Sequence, residues 1–107
     1  ADAGTVYELG FMRALGRPVA GYANVATPFE ARSRAFLGPA ARPRPDGAWE
    51  DAEGLQLESF GLQDNLMIDG GIRAAGGPLV ARDVPEGARW RDLTAFEEAL
   101  RLLLEAR

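Results

Sequence analysis

Two acidic residues near the start of the chain, Asp2 and Glu8, are the side chains best suited to chemistry. They flank a glycine turn and a predicted helix start in the segment DAGTVYELG. A pair of carboxylates can supply a general acid and a nucleophile. Asp2 can equally be a simple helix cap, and Glu8 an early acid that complements the helix dipole. Spacing alone leaves both interpretations open.

The composition directs attention to carboxylates because most other catalytic groups are missing. The 107 residues include no Cys, no His and no Lys, and all 12 basic residues are Arg. These absences exclude a Ser-His-Asp triad, a thiol nucleophile, a Schiff-base or P-loop lysine and a Cys- or His-ligated metal. Chemistry in this chain would therefore rest on carboxylates, with hydroxyl groups as helpers.

The overall charge and hydropathy pattern narrow the class of protein. With 47% hydrophobic and 26% charged residues, the chain is typical of one folded globular domain. A net charge of −4 argues against a nucleic-acid partner. We find no signal peptide and no apolar run long enough to span a membrane, so we predict a cytoplasmic protein without a membrane partner.

A helix and a short strand are predicted directly after Asp2. Residues 5–15 suit a helix, Gly16 is a plausible residue at its C-terminal end, and Pro18 prevents its continuation. Residues 18–23 then resemble a short buried strand. If a strand precedes Asp2, this acid lies at the sheet edge where open α/β proteins bind ligands.

The middle of the chain is predicted to contain a helix and a long loop. Thr27 and Glu30 have the spacing of a capping box, which predicts a helix over residues 28–37. Residues 38–58 are rich in proline and glycine at their start and form a predicted loop or insertion. We interpret Trp49 as an anchor of this loop, with stacking on a nucleobase as the alternative.

The last third is predicted to contain a helix over residues 63–74, a strand over 78–81, and a final helix capped by Asp92 and ending near residue 105. The apolar face of the final helix is predicted to comprise Leu93, Phe96, Leu100 and Leu103.

The order of these elements predicts an α/β fold. A helix, a glycine and a strand form the second half of a βαβ unit, which implies a strand before residue 1. We therefore expect a flavodoxin-like or Rossmann-like doubly wound parallel sheet, of which the chain is the C-terminal part. A complete sheet would need roughly 40–60 further residues upstream.

Two segments resemble one enzyme family. The first, DAGTVYELGF followed by ALGRPVAGY, is similar to the signature of the nucleoside 2-deoxyribosyltransferases. It departs from that signature at Met12 and Arg17, away from the acids. The second, FGLQDNLMI at residues 60–68, resembles the family's later N-L-M motif. The resemblance covers residues 2–24 and 58–72, and the family's opening β-α segment is missing.

The resemblance implies transfer of deoxyribose between nucleobases, without a metal or a cofactor. Glu8 matches the nucleophile that forms a covalent deoxyribosyl-enzyme, the logic of a retaining glycosidase. Asp2 matches the residue that binds the base and helps to protonate it, so we expect burial or the nearby Glu8 to raise its pKa. Gly4 is expected to let the backbone approach the sugar.

The resemblance also implies an assembly. Asn65 and Met67 match residues that reach a neighbouring subunit's active site and contact the sugar's 5′ end. We therefore expect a homodimer or higher homo-oligomer with shared sites, acting on deoxynucleosides and free nucleobases in nucleotide salvage. The alternative is that Asn65, Leu66 and Met67 are only a capped helix start with core side chains.

Two other functions remain open. A deoxynucleoside monophosphate N-glycosidase would use the same acids but pass the sugar to water. Asp2, Thr5 and Asn65 favour the transferase, because that hydrolase tends to have Ser in place of Asp2 and of Asn65. A non-catalytic nucleotide-binding module is the second alternative, since a fold alone does not establish a function.

Overall fold

The computed structural model describes residues 1–106 as a mixed α/β protein. The helices are α1 (Ala3–Ala14), α2 (Phe29–Leu37), α3 (Leu66–Ala74) and α4 (Thr94–Glu105). The strands are β1 (Gly21–Ala23), β2 (Arg42–Pro43), β3 (Trp49–Glu50) and β4 (Leu79–Ala81), and short 3-10 helices lie at Gly38–Ala40 and Glu86–Ala88. The chain divides into two compact units, one made of Ala1–Ala26 and the residues from Met67 onward, the other of Thr27–Leu66.

A parallel pair of strands lies at the centre of the first unit. β1 pairs with β4 in the register Gly21 to Leu79, Tyr22 to Val80 and Ala23 to Ala81. The helix α4 packs on both strands. This parallel pairing is consistent with a Rossmann-like fold, but the two strands do not by themselves form a doubly wound sheet. The expectation that the chain is the C-terminal part of such a sheet stays a prediction.

The core of this unit is small. Its buried apolar side chains are Val19, Ile72, Val84, Ala95 and Ala99. The two alanines lie one turn apart on α4, so the helix backbone can approach the strands closely. No helix within residues 1–106 is long and apolar enough to cross a membrane.

The buried face of α4 differs from the predicted one. The structure buries Ala95 and Ala99, whereas Leu93, Phe96 and Leu100 are 55%, 42% and 43% exposed. Leu103 of the predicted face is half-buried. The prediction selected the larger apolar side chains because these are more hydrophobic than alanine. Close packing on the short strands selects the small residues instead, and Phe96 only meets the edge of Tyr22, with ring centroids 5.5 Å apart.

The second unit consists of α2 and a short antiparallel hairpin. β2 and β3 pair through Arg42 with Glu50 and Pro43 with Trp49, within the segment predicted as a loop. The guanidinium of Arg34 on α2 lies 3.6 Å from the centre of the Trp49 ring. This cation–π contact fixes the hairpin against α2, as the interpretation of Trp49 as a loop anchor expects.

The predicted helix boundaries are close to the observed ones, but two caps are wrong. Pro28, not Thr27, is the N-cap of α2 and provides no side-chain hydrogen bond. The Glu30 carboxylate instead accepts a hydrogen bond of 2.6 Å from the Ser59 hydroxyl. At α4 the N-cap is Leu93, one residue after the predicted Asp92. The hydrogen bond from the Thr94 N–H lowers the pKa of Asp92 all the same.

The strand pair depends on a glycine that follows α3. A Cβ added to Gly77 would lie 2.0 Å from the main-chain oxygen of Val19 and 3.1 Å from Ile72. No rotation of a side chain relieves an overlap with backbone. Any side chain at this position would therefore push apart the segments that enter β1 and β4.

We expect Gly77→Ala to lower the free energy of unfolding by about 1–3 kcal/mol, as overpacking does elsewhere. Gly87→Ala is the matched control, since a Cβ there meets nothing within 4 Å. Urea denaturation of both variants and the wild type measures the difference. Equal stability of the two variants would show that the contact with Val19 is not a constraint.

Candidate active site

Asp2 is the N-cap of α1. Its backbone is extended, with φ −69° and ψ 138°, and its carboxylate accepts a hydrogen bond of 3.0 Å from the Thr5 N–H. The Thr5 hydroxyl lies 3.4 Å from the same oxygen. The interpretation of Asp2 as a helix cap is therefore confirmed. It does not exclude a second role, because the side chain is exposed.

The pKa shift of Asp2 is opposite in direction to the increase expected for a proton donor. The hydrogen bond from the Thr5 backbone N–H lowers the pKa of Asp2 below its ordinary value. The expected increase required burial or a close negative charge. Asp2 has neither, because Glu8 follows it by about 9 Å along the helix axis at 1.5 Å per residue. In this structure a helix terminus therefore favours the ionised form.

Glycine at position 4 is explained by the cap. A Cβ on Gly4 would lie 3.1 Å from the Asp2 carboxylate oxygen that accepts from Thr5. Glycine therefore keeps the first turn of α1 open for the capping side chain. Its predicted part in the approach of backbone to the sugar stays a prediction.

Glu8 lies in the second turn of α1 and is exposed. The first turn contains no acidic residue. Glu8 therefore lies beyond the first turn, within which the effect of the helix dipole decreases.

Glu8 lines an open cavity of about 520 Å³ beside α1. The helix contributes Thr5, Tyr7, Glu8, Leu9, Phe11 and Met12, and residues 18–20 contribute the rest. Glu8 is the only carboxylate in a mostly apolar lining, and the volume is in the range of small-molecule sites. The arrangement suits a carboxylate that attacks a ligand held by apolar and aromatic contacts.

Two lining residues, Tyr7 and Met12, were not predicted as site residues. Tyr7 is 77% exposed and lines the same cavity as Glu8. Met12 follows Glu8 by four residues and therefore shares its helix face. That spacing is the signal in the sequence by which Met12 could be found.

Asn65 and Met67 flank the start of α3. The Asn65 side-chain amide donates a hydrogen bond of 2.6 Å to the Glu58 carboxylate, and Asn65 is half-buried. Met67 is 76% exposed and Leu66 is 43% exposed. The alternative that Leu66 and Met67 are core side chains is therefore wrong within this chain. The capped helix start is confirmed, with Glu58 as the residue that caps it.

The described residues do not include a metal site. Within residues 1–106, no three acidic side chains lie close enough together to hold a metal ion.

The fold and the site define an α/β protein with a single carboxylate in an apolar cavity. The family model for nucleoside 2-deoxyribosyltransferase matches residues 1–67, which include Asp2, Gly4, Glu8, Asn65 and Met67. The chain belongs to the nucleoside 2-deoxyribosyltransferase family.

One similar protein is an uncharacterized protein of the fission yeast Schizosaccharomyces pombe. The two are 38% identical over 84 residues, which cover 71% of this chain and 40% of the relative. The chain thus spans less than half the length of that relative. No solved structure is significantly similar to the chain.

The lowered pKa of Asp2 makes a pH-dependent stability difference predictable. Ionised Asp2 stabilises α1 fully above the ordinary aspartate pKa of about 3.9. The stabilisation is lost as the pH falls through the lower pKa of the folded state. Asp2→Asn keeps a good cap without the charge. We expect the wild type to lose stability relative to Asp2→Asn between about pH 5 and pH 2.

Urea denaturation at each pH provides the measurement. Glu53→Gln is the control, because the exposed Glu53 carboxylate forms no hydrogen bond or ion pair within residues 1–106. Stability curves of wild type and Asp2→Asn that stay parallel down to pH 2 would contradict the assigned cap.

Proposed function

We propose that the chain carries the catalytic acids of a nucleoside 2-deoxyribosyltransferase. The reaction cleaves the N-glycosidic bond of a 2′-deoxynucleoside and transfers the deoxyribose to another nucleobase. The observation that carries the proposal is Glu8, an exposed carboxylate in the second helical turn beside an apolar cavity. Family membership supplies the class of substrate.

Glu8 acts as the nucleophile. A carboxylate oxygen attacks the anomeric carbon as the bond to the base nitrogen breaks, and an ester between sugar and Glu8 forms. The departing base takes the electron pair of that bond and a proton. A second base then attacks the same carbon and regenerates the carboxylate. Two inversions give net retention of configuration.

In this proposal Asp2 binds the base and exchanges a proton with it. Its lowered pKa means that the carboxylate is ionised at neutral pH when only Thr5 contacts it. For Asp2 to donate a proton, the bound base must shield the carboxyl group from water and offset the Thr5 hydrogen bond. The proton therefore reaches the Asp2 carboxylate either with an incoming acceptor base or when the nucleoside binds. An ionised Asp2 is also the correct partner for an N–H group of the acceptor base.

The active site is shared between two chains in this proposal. One chain provides Asp2 and Glu8, and its neighbour provides Asn65 and Met67 to the 5′ end of the sugar. The large exposed fraction of Met67 supports such a contact. Methionine suits it because a flexible thioether packs against a sugar without a hydrogen-bond requirement.

Glu8→Ala should reduce base exchange by about 10³-fold or more, because no other lining residue can form the ester. Mass spectrometry after incubation with a deoxynucleoside should detect a deoxyribosyl adduct on wild-type Glu8 and none on the variant. Glu53→Gln should retain both signals. A folded Glu8→Ala protein with near-normal turnover would eliminate the mechanism. Consumption of substrate without an added base would identify the N-glycosidase. Absence of any adduct on the wild type would identify the non-catalytic binding module.

The shared site predicts complementation. An inactive Glu8→Ala protein mixed with an inactive Asn65/Met67 double variant should regain activity, since a heterodimer has one intact site. Random exchange in a two-fold dimer makes about half of the dimers mixed, so the maximum is roughly a quarter of wild-type activity. Verified subunit exchange without recovery would place all site residues in one chain.

A further inference from the structure

Glu58 connects two groups at the start of α3 through the two oxygens of one carboxylate. Oε1 accepts a hydrogen bond of 2.6 Å from the Asn65 side-chain amide, and Oε2 accepts one of 2.9 Å from the Leu66 N–H. The same side chain therefore caps the helix and holds the residue that precedes it. Glu58 lies outside the matched acid pair, and neither of its contacts involves Asp2 or Glu8.

A carboxylate fixes which end of the Asn65 amide faces it. A carboxylate only accepts hydrogen bonds, so the NH₂ group of Asn65 must point to Glu58 and the carbonyl oxygen must point away. Rotation of the amide by 180° would bring two oxygens together. Because the acceptor is charged, this hydrogen bond is stronger than one between neutral groups. Glu58 thus sets the orientation of Asn65.

The surroundings of Asn65 are also negatively charged. Asp64 accepts a hydrogen bond of 2.7 Å from the Asn65 N–H. Within residues 1–106, no arginine forms an ion pair with Glu58 or Asp64. Arg32 binds the main-chain oxygen of the adjacent residue, Gln63. Two carboxylates against one guanidinium disfavour an additional anion at this position.

We propose that Glu58 is a positioning residue for the 5′ end of the sugar. It directs the acceptor end of the Asn65 amide towards the 5′-hydroxyl, and its charge disfavours a 5′-phosphate. This inference rests on the proposed function, in which Asn65 contacts the sugar. It adds a residue that does not touch the substrate but determines which substrate Asn65 accepts.

Glu58→Gln tests the orientation with little change in size. In Glu58 the two donors meet different oxygens, and glutamine replaces one of these with an NH₂ group that cannot accept. The variant should raise KM for a deoxynucleoside roughly tenfold, the loss expected for one hydrogen bond to a charged group. Its kcat should stay within about twofold, because Glu8 is unaffected. The ratio of kcat/KM for a deoxynucleoside 5′-monophosphate to that for the deoxynucleoside should rise.

A substrate without the 5′-hydroxyl separates positioning from a merely structural role. For a 2′,5′-dideoxynucleoside, wild type and Glu58→Gln should have the same KM. In an Asn65→Ala background, Glu58→Gln should have no further effect on KM. The control Glu53→Gln makes the same charge change in the same unit without these contacts. An equal rise in KM for both substrates, or additive effects with Asn65→Ala, would overturn the proposal.

A measurement without substrate keeps this inference distinct from the proposed function. The side-chain NH₂ resonance of Asn65, assigned by its loss in Asn65→Ala, should shift upfield in Glu58→Gln and not in Glu53→Gln. An unchanged resonance would overturn the positioning role whatever the activity. If the resonance shifts in Glu58→Gln but the wild type transfers no deoxyribose, the orienting role of Glu58 stands and the transferase is refuted.

Discussion

The close approach of two chain segments that are far apart in sequence determines the first unit. β1 and β4 pair in parallel although more than fifty residues separate them, and Gly77 has no room for a side chain beside the Val19 carbonyl. Since α1 precedes β1 and α3 precedes β4, this pairing brings both helices into one unit. Ala95 and Ala99 complete this unit, because their small side chains let the backbone of α4 approach the two strands closely.

Acidic side chains in this protein perform structural work at the positions where chemistry is expected. Asp2 caps α1, and the hydrogen bond that makes it a good cap also lowers its pKa. Glu58 caps α3 and orients Asn65 at the same time. The hydrogen bond from the Thr5 N–H both holds the Asp2 carboxylate in one place and favours its ionised form. The proposed role of Asp2 therefore requires a bound base to change its protonation.

Glu8 differs from these two acids in that it caps no helix within residues 1–106. It lies beyond the first turn, within which the helix dipole stabilises a negative charge, and it lines an apolar cavity. Its place in the family's matched segment is the support for the role proposed for it, and the covalent chemistry of that role requires an ionised carboxylate.

The sequence by itself determined the features that depend on neighbours in the chain. The turn at Gly16 after α1, with φ 66°, and the cap at Asp2 were predictable because turns and caps are local. The tertiary structure alone decided that α4 buries alanines, that Glu30 binds Ser59 instead of capping α2, and that Glu58 holds Asn65. These outcomes depend on which distant residues approach one another, and packing distance, not hydrophobicity or spacing, selects among the side chains that meet there.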